Sequence, residues 1–341
     1  MPSLSQFFSE FLPIIQSDLR AVLVPPAEAP ELFYRMLHYH MGWVDQDGKP
    51  ISHAGGKSIR PLLCLLTCQA TCGNYAPARP AAAAVELIHN FSLLHDDIED
   101  RSPLRRGRPT AWSIWGEQQA INAGDALFAL AHLAIPRLTN NDVGDTRPAR
   151  MLEVIDETCL ELTRGQHLDI HFETSSEVTT DDYLSMIGSK TAALLAAAAY
   201  LGALAGGADE PTQDHYRAFG ENLGLAFQVL DDVLDIWGDP RQVGKRRAND
   251  IYQRKRTLPV LYAMQRSPEL QAIYARDESF DDQTVERVIN LLDDADARPY
   301  AEALARQYSG QTIEHLKAAK PNGDAGEALF ELVDMLLHRE H

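Results

Sequence analysis

The sequence predicts an all-α fold in a single domain. Apolar residues recur at three- and four-residue intervals along most of the chain, and no strand-like alternation runs beyond a few residues. Clusters of Gly, Pro, Asn and Asp fall between the periodic stretches, as helix breakers do. All-helical chains of 341 residues are often one domain, and an apolar content of 45% suffices for a large core. Net charge is −18 and no basic block appears, which excludes a nucleic-acid surface.

The first periodic stretch, 4–23, carries Leu4, Phe7, Phe8, Phe11, Ile15 and Leu19 on one face. It lacks a cationic start, and Glu10 and Asp18 interrupt it, so it is no signal peptide. A membrane-lying helix would want Lys or Arg on its polar face; this acidic one suits docking on the core or on a second subunit. A helix over 30–42 ends at Asp47-Gly48-Lys49-Pro50. The next, 58–73, holds Cys64, Cys68 and Cys72 at the spacing of a buried stripe. A thiolate metal site there would need a fourth ligand that the stretch does not show. No disulfide framework is suggested, which fits a reducing cytoplasm.

Helices over 79–100 and 113–135 follow, divided by Arg101-Ser102-Pro103, and one over 148–173 follows Thr139-Asn140-Asn141. In the last, His167 and His171 are spaced as a zinc pair but lack a third ligand, so they read as structural. In the helix over 181–204 the uncharged run Thr191 to Ala208 is about long enough to span a bilayer. It is mostly small residues and abuts Lys190, which favours close packing inside a bundle and no transmembrane segment. Helices are further expected over 212–237, 257–266, 283–293, 298–318 and 324–339.

The chemistry concentrates at Asp96-Asp97-Ile98-Glu99-Asp100, the end of an apolar helical run. Residues i and i+4 share a helix face, so Asp96 and Asp100 point the same way with Asp97 beside them. Clustered carboxylates raise one another's pKa and stay ionised most readily around a hard cation such as Mg²⁺. The pairs Asp181-Asp182, Asp281-Asp282 and Asp293-Asp294 lack the third aspartate. Asp231-Asp232-Val233-Leu234-Asp235 has it and also ends an apolar helix. Two matching clusters suggest two walls of one metal site. Mg²⁺ usually completes its shell with water and phosphate oxygens, so the implied ligand is a diphosphate.

In these motifs, their order and their spacing, the chain resembles the trans-type polyprenyl diphosphate synthases, the short-chain group that makes farnesyl and geranylgeranyl diphosphate. The resemblance runs from about Gly55 to Pro259. It implies an isoprenoid synthase-type bundle around a deep central cavity. The N-terminal helices, about 1–42, would pack on a catalytic core of about 55–260, followed by C-terminal helices over about 280–341. It also implies a cytoplasmic homodimer.

The basic residues take their roles from the same resemblance. Gly55-Gly56-Lys57-Ser58-Ile59-Arg60-Pro61 opens a helix whose N-terminus favours anions, and its glycines allow a close ligand approach. Lys57 and Arg60, with His89 and Arg106, match the site of isopentenyl diphosphate. Arg105 matches a contact to the allylic diphosphate, and Lys190, Lys245 and Lys255 match the rest of that clamp. Thr191 and Gln228 match dipoles that face the developing cation. Three Mg²⁺ ions are implied, with Asp96, Asp100 and Asp231 as direct ligands and Asp97, Asp232 and Asp235 acting through water. Where the family commonly shows Pro or Gly between the two clamp lysines, this chain has Arg246, Ala248 and Arg254. Arg101, after the first motif, replaces a position often acidic or neutral and suits a pairing with Glu99 or a phosphate.

The expected reaction joins isopentenyl diphosphate head-to-tail to dimethylallyl, geranyl or farnesyl diphosphate. Phe91 lies five residues before Asp96, about 7.5 Å along the helix axis, where related synthases place an aromatic that limits elongation. Its neighbour Ser92 blocks little, and the first motif lacks the two-residue insertion of bacterial farnesyl enzymes. Both features point to a C20 product, with farnesyl diphosphate or a longer chain as the alternative. A class I terpene cyclase would lack the second aspartate motif and the Lys57/Arg60 pair. A non-catalytic regulatory subunit would tend to lose one motif.

Overall fold

The computed structural model describes residues 3–52, 56–139, 145–175, 177–238, 247–276 and 278–337. Among them the chain is almost wholly helical; a two-stranded hairpin is the sheet it contains. Two compact units form, one from Met1–Cys159, Ala197–Asp214 and Lys320–Leu329, the other from Leu160–Ala196, His215–Ala319 and Phe330–His341.

The first unit begins with α1 (Leu4–Val22) and α2 (Glu31–His40), followed by α3 (Ile59–Cys72) and α4 (Arg79–Glu99). The hairpin pairs β1 (Leu104–Arg105) with β2 (Arg108–Pro109). Then come α5 (Ala111–Trp115) and α6 (Glu117–Leu138), which Gly116 (φ 88°) separates within what the periodicity presents as one helix. The apolar face of α1 packs on α3, α4 and α6, burying Phe7, Phe11, Ile15 and Leu19. Asp18, on that buried side, is not solvated: Arg79 Nε donates to its Oδ2 at 2.8 Å and Arg79 Nη2 to Oδ1 at 2.5 Å. Cys64 and Cys68 are buried as the stripe requires, whereas Cys72, at the end of α3, is exposed. No disulfide joins the four cysteines.

The second unit takes the C-terminal part of α7 (Arg147–Thr174), then α8 (Thr180–Ile187), a π turn (Gly188–Ala192) and the start of α9 (Ala193–Ala205). Most of α10 (Glu210–Trp237) belongs to it. It continues with α11 (Asn249–Tyr252), α12 (Leu258–Met264), α13 (Pro268–Tyr274), α14 (Asp282–Asp294) and α15 (Ala297–Ala319). The last helix, α16, spans Gly323–Leu337. Tyr183, Ile187, Val229, Val233, Leu258 and Ala301 form one apolar core of this unit. The helical run Thr180–Ala205 is long and apolar enough to cross a membrane, but 72% of its apolar window is buried inside the protein. Gly202 shows why it is rich in small residues: a Cβ there would sit 2.3 Å from the Cys64 carbonyl oxygen.

The aspartate pairs without a third member have local work. Asp182 completes a capping box with Thr179. Asp281 caps α14, its Oδ1 accepting from Thr284 N–H at 2.8 Å. Asp293 accepts from Trp237 Nε1 at 2.8 Å.

Candidate active site

In the first unit, α4 carries the first aspartate motif at its C-terminal end, and Asp97 differs from the two aspartates on either side of it. Asp97 is 1% exposed. Arg105 Nε donates to its Oδ1 at 2.7 Å, while Oδ2 is buried with no hydrogen-bond partner. Burial pushes the Asp97 carboxyl up against the opposing pull of Arg105. Asp96 is half-buried and Asp100, the C-cap of α4, is exposed. The i, i+4 pair therefore shares the outer face, as the spacing requires.

The hairpin after α4 presents the two arginines. Its two-residue turn is Arg106-Gly107, with φ of 52° and 73°. Positive φ at both central residues marks a turn matched to strand twist; the second is glycine, and the first places Arg106 in a strained region. The Arg106 guanidinium lies against Gly56, where a Cβ would sit 2.5 Å from Nη2. Gly56 thus leaves room for Arg106 rather than only for a ligand. Gly55 lies outside the described residues.

Ser58 caps α3 from the left-handed region (φ 47°), and its hydroxyl donates to Glu86 Oε1 at 3.2 Å. Arg60 Nη1 lies 3.4 Å from His89 Nε2. Burial, then the charges of Arg60, Arg106 and Arg105, hold the His89 imidazole well below its ordinary pKa. It is therefore neutral at pH 7. His40 joins the same cationic group and is pushed down to about 3, by burial first and then by Arg105 and Arg106. Glu86 is the group's buried counter-charge, its carboxyl raised by burial and drawn back by Arg60. The structure thus gathers Arg60, His89, Arg105 and Arg106 into one cationic patch, and Lys57, three residues before Arg60, is exposed. His40 and Glu86 escaped the sequence reading. Glu86 had a signal: it is an acid inside an apolar run, one turn before His89.

Arg101 Nη1 reaches Glu117 Oε1 at 3.3 Å. The rings of His167 and His171 stack at 2° on an exposed face of α7.

The second unit holds a cavity of about 150 Å³ lined by Lys190, Thr191, Gln228, Asp232 and Lys255, all expected, and also by Asp169, Tyr183, Asp250 and Arg256. Lys190 and Thr191 stand on the π turn, where an extra residue per turn re-aims side chains that a regular helix would place differently. Glycines let neighbouring backbones close on this turn. A Cβ on Gly165 would sit 2.3 Å from Lys190 N, and one on Gly224 would sit 2.5 Å from Ala192 Cα. Lys190 Nζ donates to Asp169 Oδ2 at 2.5 Å.

A relay of hydrogen bonds then orders the cavity. The Thr191 hydroxyl donates to Gln228 Oε1 (3.0 Å), and Gln228 Nε2 donates to Asp232 Oδ1 (3.2 Å). The Tyr183 hydroxyl (2.5 Å) and Leu258 N–H (3.3 Å) both donate to Asp232 Oδ2. Asp232 is 2% exposed and so resembles Asp97: the second aspartate of each motif is an inward anchor. Asp231 is exposed and Asp235 half-buried. The Asp235 carboxylate accepts from Asp250 N–H at 3.1 Å, at the start of α11. Lys245 and Arg246 lie outside the described residues.

The outward donors are carboxylate oxygens, which suit a hard cation such as Mg²⁺. Among the described residues no three Asp, Glu, His or Cys side chains converge to enclose an ion. An ion here would complete its shell with water and substrate oxygens.

The polyprenyl synthetase family model matches residues 42–292. A (2E,6E)-farnesyl diphosphate synthase of Mycobacterium tuberculosis is 38% identical over 313 residues, covering 89% of this chain and 86% of the relative. A geranylgeranyl diphosphate synthase of the same organism is 40% identical over 309 residues, with the same coverage of 89% and 86%. The crystal structure of a polyprenyl synthetase from Streptomyces coelicolor A3(2) superposes with a TM-score of 0.89 at 34% identity, covering 98% of this chain and 100% of that one.

Proposed function

The chain belongs to the polyprenyl synthetase family, and from that premise we propose that it makes geranylgeranyl diphosphate. It is a prenyltransferase that condenses isopentenyl diphosphate with an allylic diphosphate into a short-chain prenyl diphosphate. The observation that carries the residue assignments is the Thr191–Gln228–Asp232 relay beside Lys190 and Lys255 in one cavity.

In this reading Asp96 and Asp100 of the first motif and Asp231 of the second would hold Mg²⁺ directly, Asp97, Asp232 and Asp235 would act through water, and the ions would supply charge neutralisation to the diphosphate. Lys190, Lys255 and Arg105, with Lys245, offset the negative charge that grows as the allylic C1–O bond breaks. Such fixed charges, aimed where charge develops, are usually the largest catalytic term. Asp169 holds the Lys190 ammonium until the diphosphate competes for it. The relay turns the Gln228 amide so that its NH₂ faces Asp232, leaving oxygen dipoles of Thr191 and Gln228 for the allylic cation. Lys57, Arg60, His89 and Arg106 hold isopentenyl diphosphate, whose double bond attacks C1. The proton lost afterwards goes to the departed diphosphate. A neutral His89 donates one hydrogen bond and adds no charge to an already cationic patch.

Farnesyl diphosphate is the second reading. Phe128 of α6 brings its ring to 5.4 Å from Phe91, a second aromatic that Ser92 does not supply. A homodimer would cover the exposed Ile121 and Leu133 of α6. The test is the purified chain with Mg²⁺, isopentenyl diphosphate and each of dimethylallyl, geranyl and farnesyl diphosphate, with products dephosphorylated and separated by length. A C20 alcohol supports the first reading and a C15 end-point the second. No product from the chain alone would favour a regulatory subunit, and product without isopentenyl diphosphate a cyclase.

A further inference from the structure

Arg254 stands in the left-handed backbone region (φ 59°) directly before Lys255, and Ala248 does the same (φ 55°) at the start of α11. Neither is glycine, and the left-handed region crowds a Cβ against the backbone. Such strain persists only where the surroundings over-determine it. Around Ala248 they do so through its N–H, which donates to the Asp235 carbonyl at 2.7 Å. Around Arg254 they do so through the side chain. Its Nη2 donates to the Tyr274 carbonyl at 2.8 Å, its Nη1 donates to the Glu278 carbonyl, and its guanidinium carbon lies 4.9 Å from the Phe280 ring centre. The backbone between is closed as well: Lys255 N–H donates to the Asp250 carbonyl at 2.8 Å and Arg254 N–H to Ile251 at 2.9 Å.

We propose that Arg254 is a positioning residue for diphosphate binding. It clamps the 248–257 segment onto Tyr274, Glu278 and Phe280 and so holds Lys255 where that side chain lines the cavity. The inference rests on the reading of Lys255 as a phosphate ligand. A lysine on a loose loop would lose side-chain and loop entropy on each binding event, and a clamped one loses less.

The test compares Arg254→Ala, Arg254→Lys, Lys255→Ala and the double Ala variant in the full chain. The readouts are calorimetric binding of inorganic pyrophosphate with Mg²⁺, Michaelis constants for both substrates, and unfolding temperature. Arg254→Ala should weaken pyrophosphate binding and raise the allylic KM by about tenfold, with the isopentenyl KM nearly unchanged. Arg254→Lys, still able to donate to a carbonyl, should recover part of the loss. The double variant should bind no more weakly than Lys255→Ala, because the clamp acts through that lysine. Arg254→Gly suits the left-handed backbone and replaces the alanine variant if that one fails to fold. Losses that multiply in the double variant, or a lower unfolding temperature with unchanged pyrophosphate binding, would overturn the positioning role. If the unaltered chain binds no pyrophosphate with Mg²⁺, the diphosphate reading itself fails instead.

Discussion

The Tyr183 hydroxyl donates a 2.5 Å hydrogen bond to Asp232 Oδ2, joining a buried phenol to the inner aspartate of the second motif. Both groups are buried, and burial pushes the Asp232 carboxyl up to about 8. Tyr183→Phe leaves that oxygen with the longer 3.3 Å hydrogen bond from Leu258 N–H. Removing one partner of a buried polar pair costs about 1–3 kcal/mol, to be read as a lowered urea midpoint. Because Asp232 also holds Gln228, kcat should fall while KM for isopentenyl diphosphate stays put. A variant with unchanged midpoint and unchanged kcat would remove the relay from the account.

Gly56→Ala should move the Arg106 guanidinium, since the new methyl would lie 2.5 Å from Nη2. The expected result is a raised KM for isopentenyl diphosphate with helix content intact. Lys57→Ala should raise the same constant by roughly ten- to a hundredfold, the worth of a charge-assisted contact at about 1.5–3 kcal/mol. The allylic KM should barely respond to either; parallel rises in both constants would point to general damage.

The stability contributed by two imidazoles kept neutral in the folded state should fall as pH drops below about 6.5. His40 is held down to about 3, and His89 well below its ordinary value. Below 6.5 the unfolded chain takes up these protons and the folded chain does not, so the stabilising difference is present above that pH and is lost on acidification. Between pH 7.5 and 5.5 one such group accounts for roughly 1 kcal/mol. His40→Gln should therefore flatten the pH dependence of urea unfolding; an equally steep profile would show that His40 charges freely.

Much of this was legible because periodicity and spacing report directly on faces. The bounds of α1, α3, α4 and α10 follow the apolar register, and the two motifs follow from i, i+4 geometry. Other features depend on what a distant residue leaves open. The split at Gly116 comes from one positive φ inside a continuous apolar pattern. The π turn carrying Lys190 and Thr191 has no Pro to announce it, and depends on Gly165 and Gly224 across the packing. The inward turn of Asp97 and Asp232 is set by Arg105 and by Tyr183, and neither partner is implied by motif spacing. The short helices α11 and α13 are too brief for periodicity to register.

Phe91→Ala should lengthen the products beyond twenty carbons, at some loss of stability. The Phe91 ring meets Phe128 at 5.4 Å and His95 at 5.1 Å, so its removal opens space between α4 and α6. Phe128→Ala should lengthen products too if both rings limit elongation. An unchanged length distribution in Phe91→Ala would place the limit elsewhere.

Turnover of Asp96→Ala and Asp231→Ala, measured across a Mg²⁺ titration with isopentenyl and farnesyl diphosphate, tests the central claim most directly. Both carboxylates lie on the outer faces of their motifs, where removal should spare the helices. The account predicts strict metal dependence in the unaltered chain and a fall of several orders of magnitude in each variant, with unchanged circular dichroism. Either variant keeping more than about a tenth of the original turnover would contradict it.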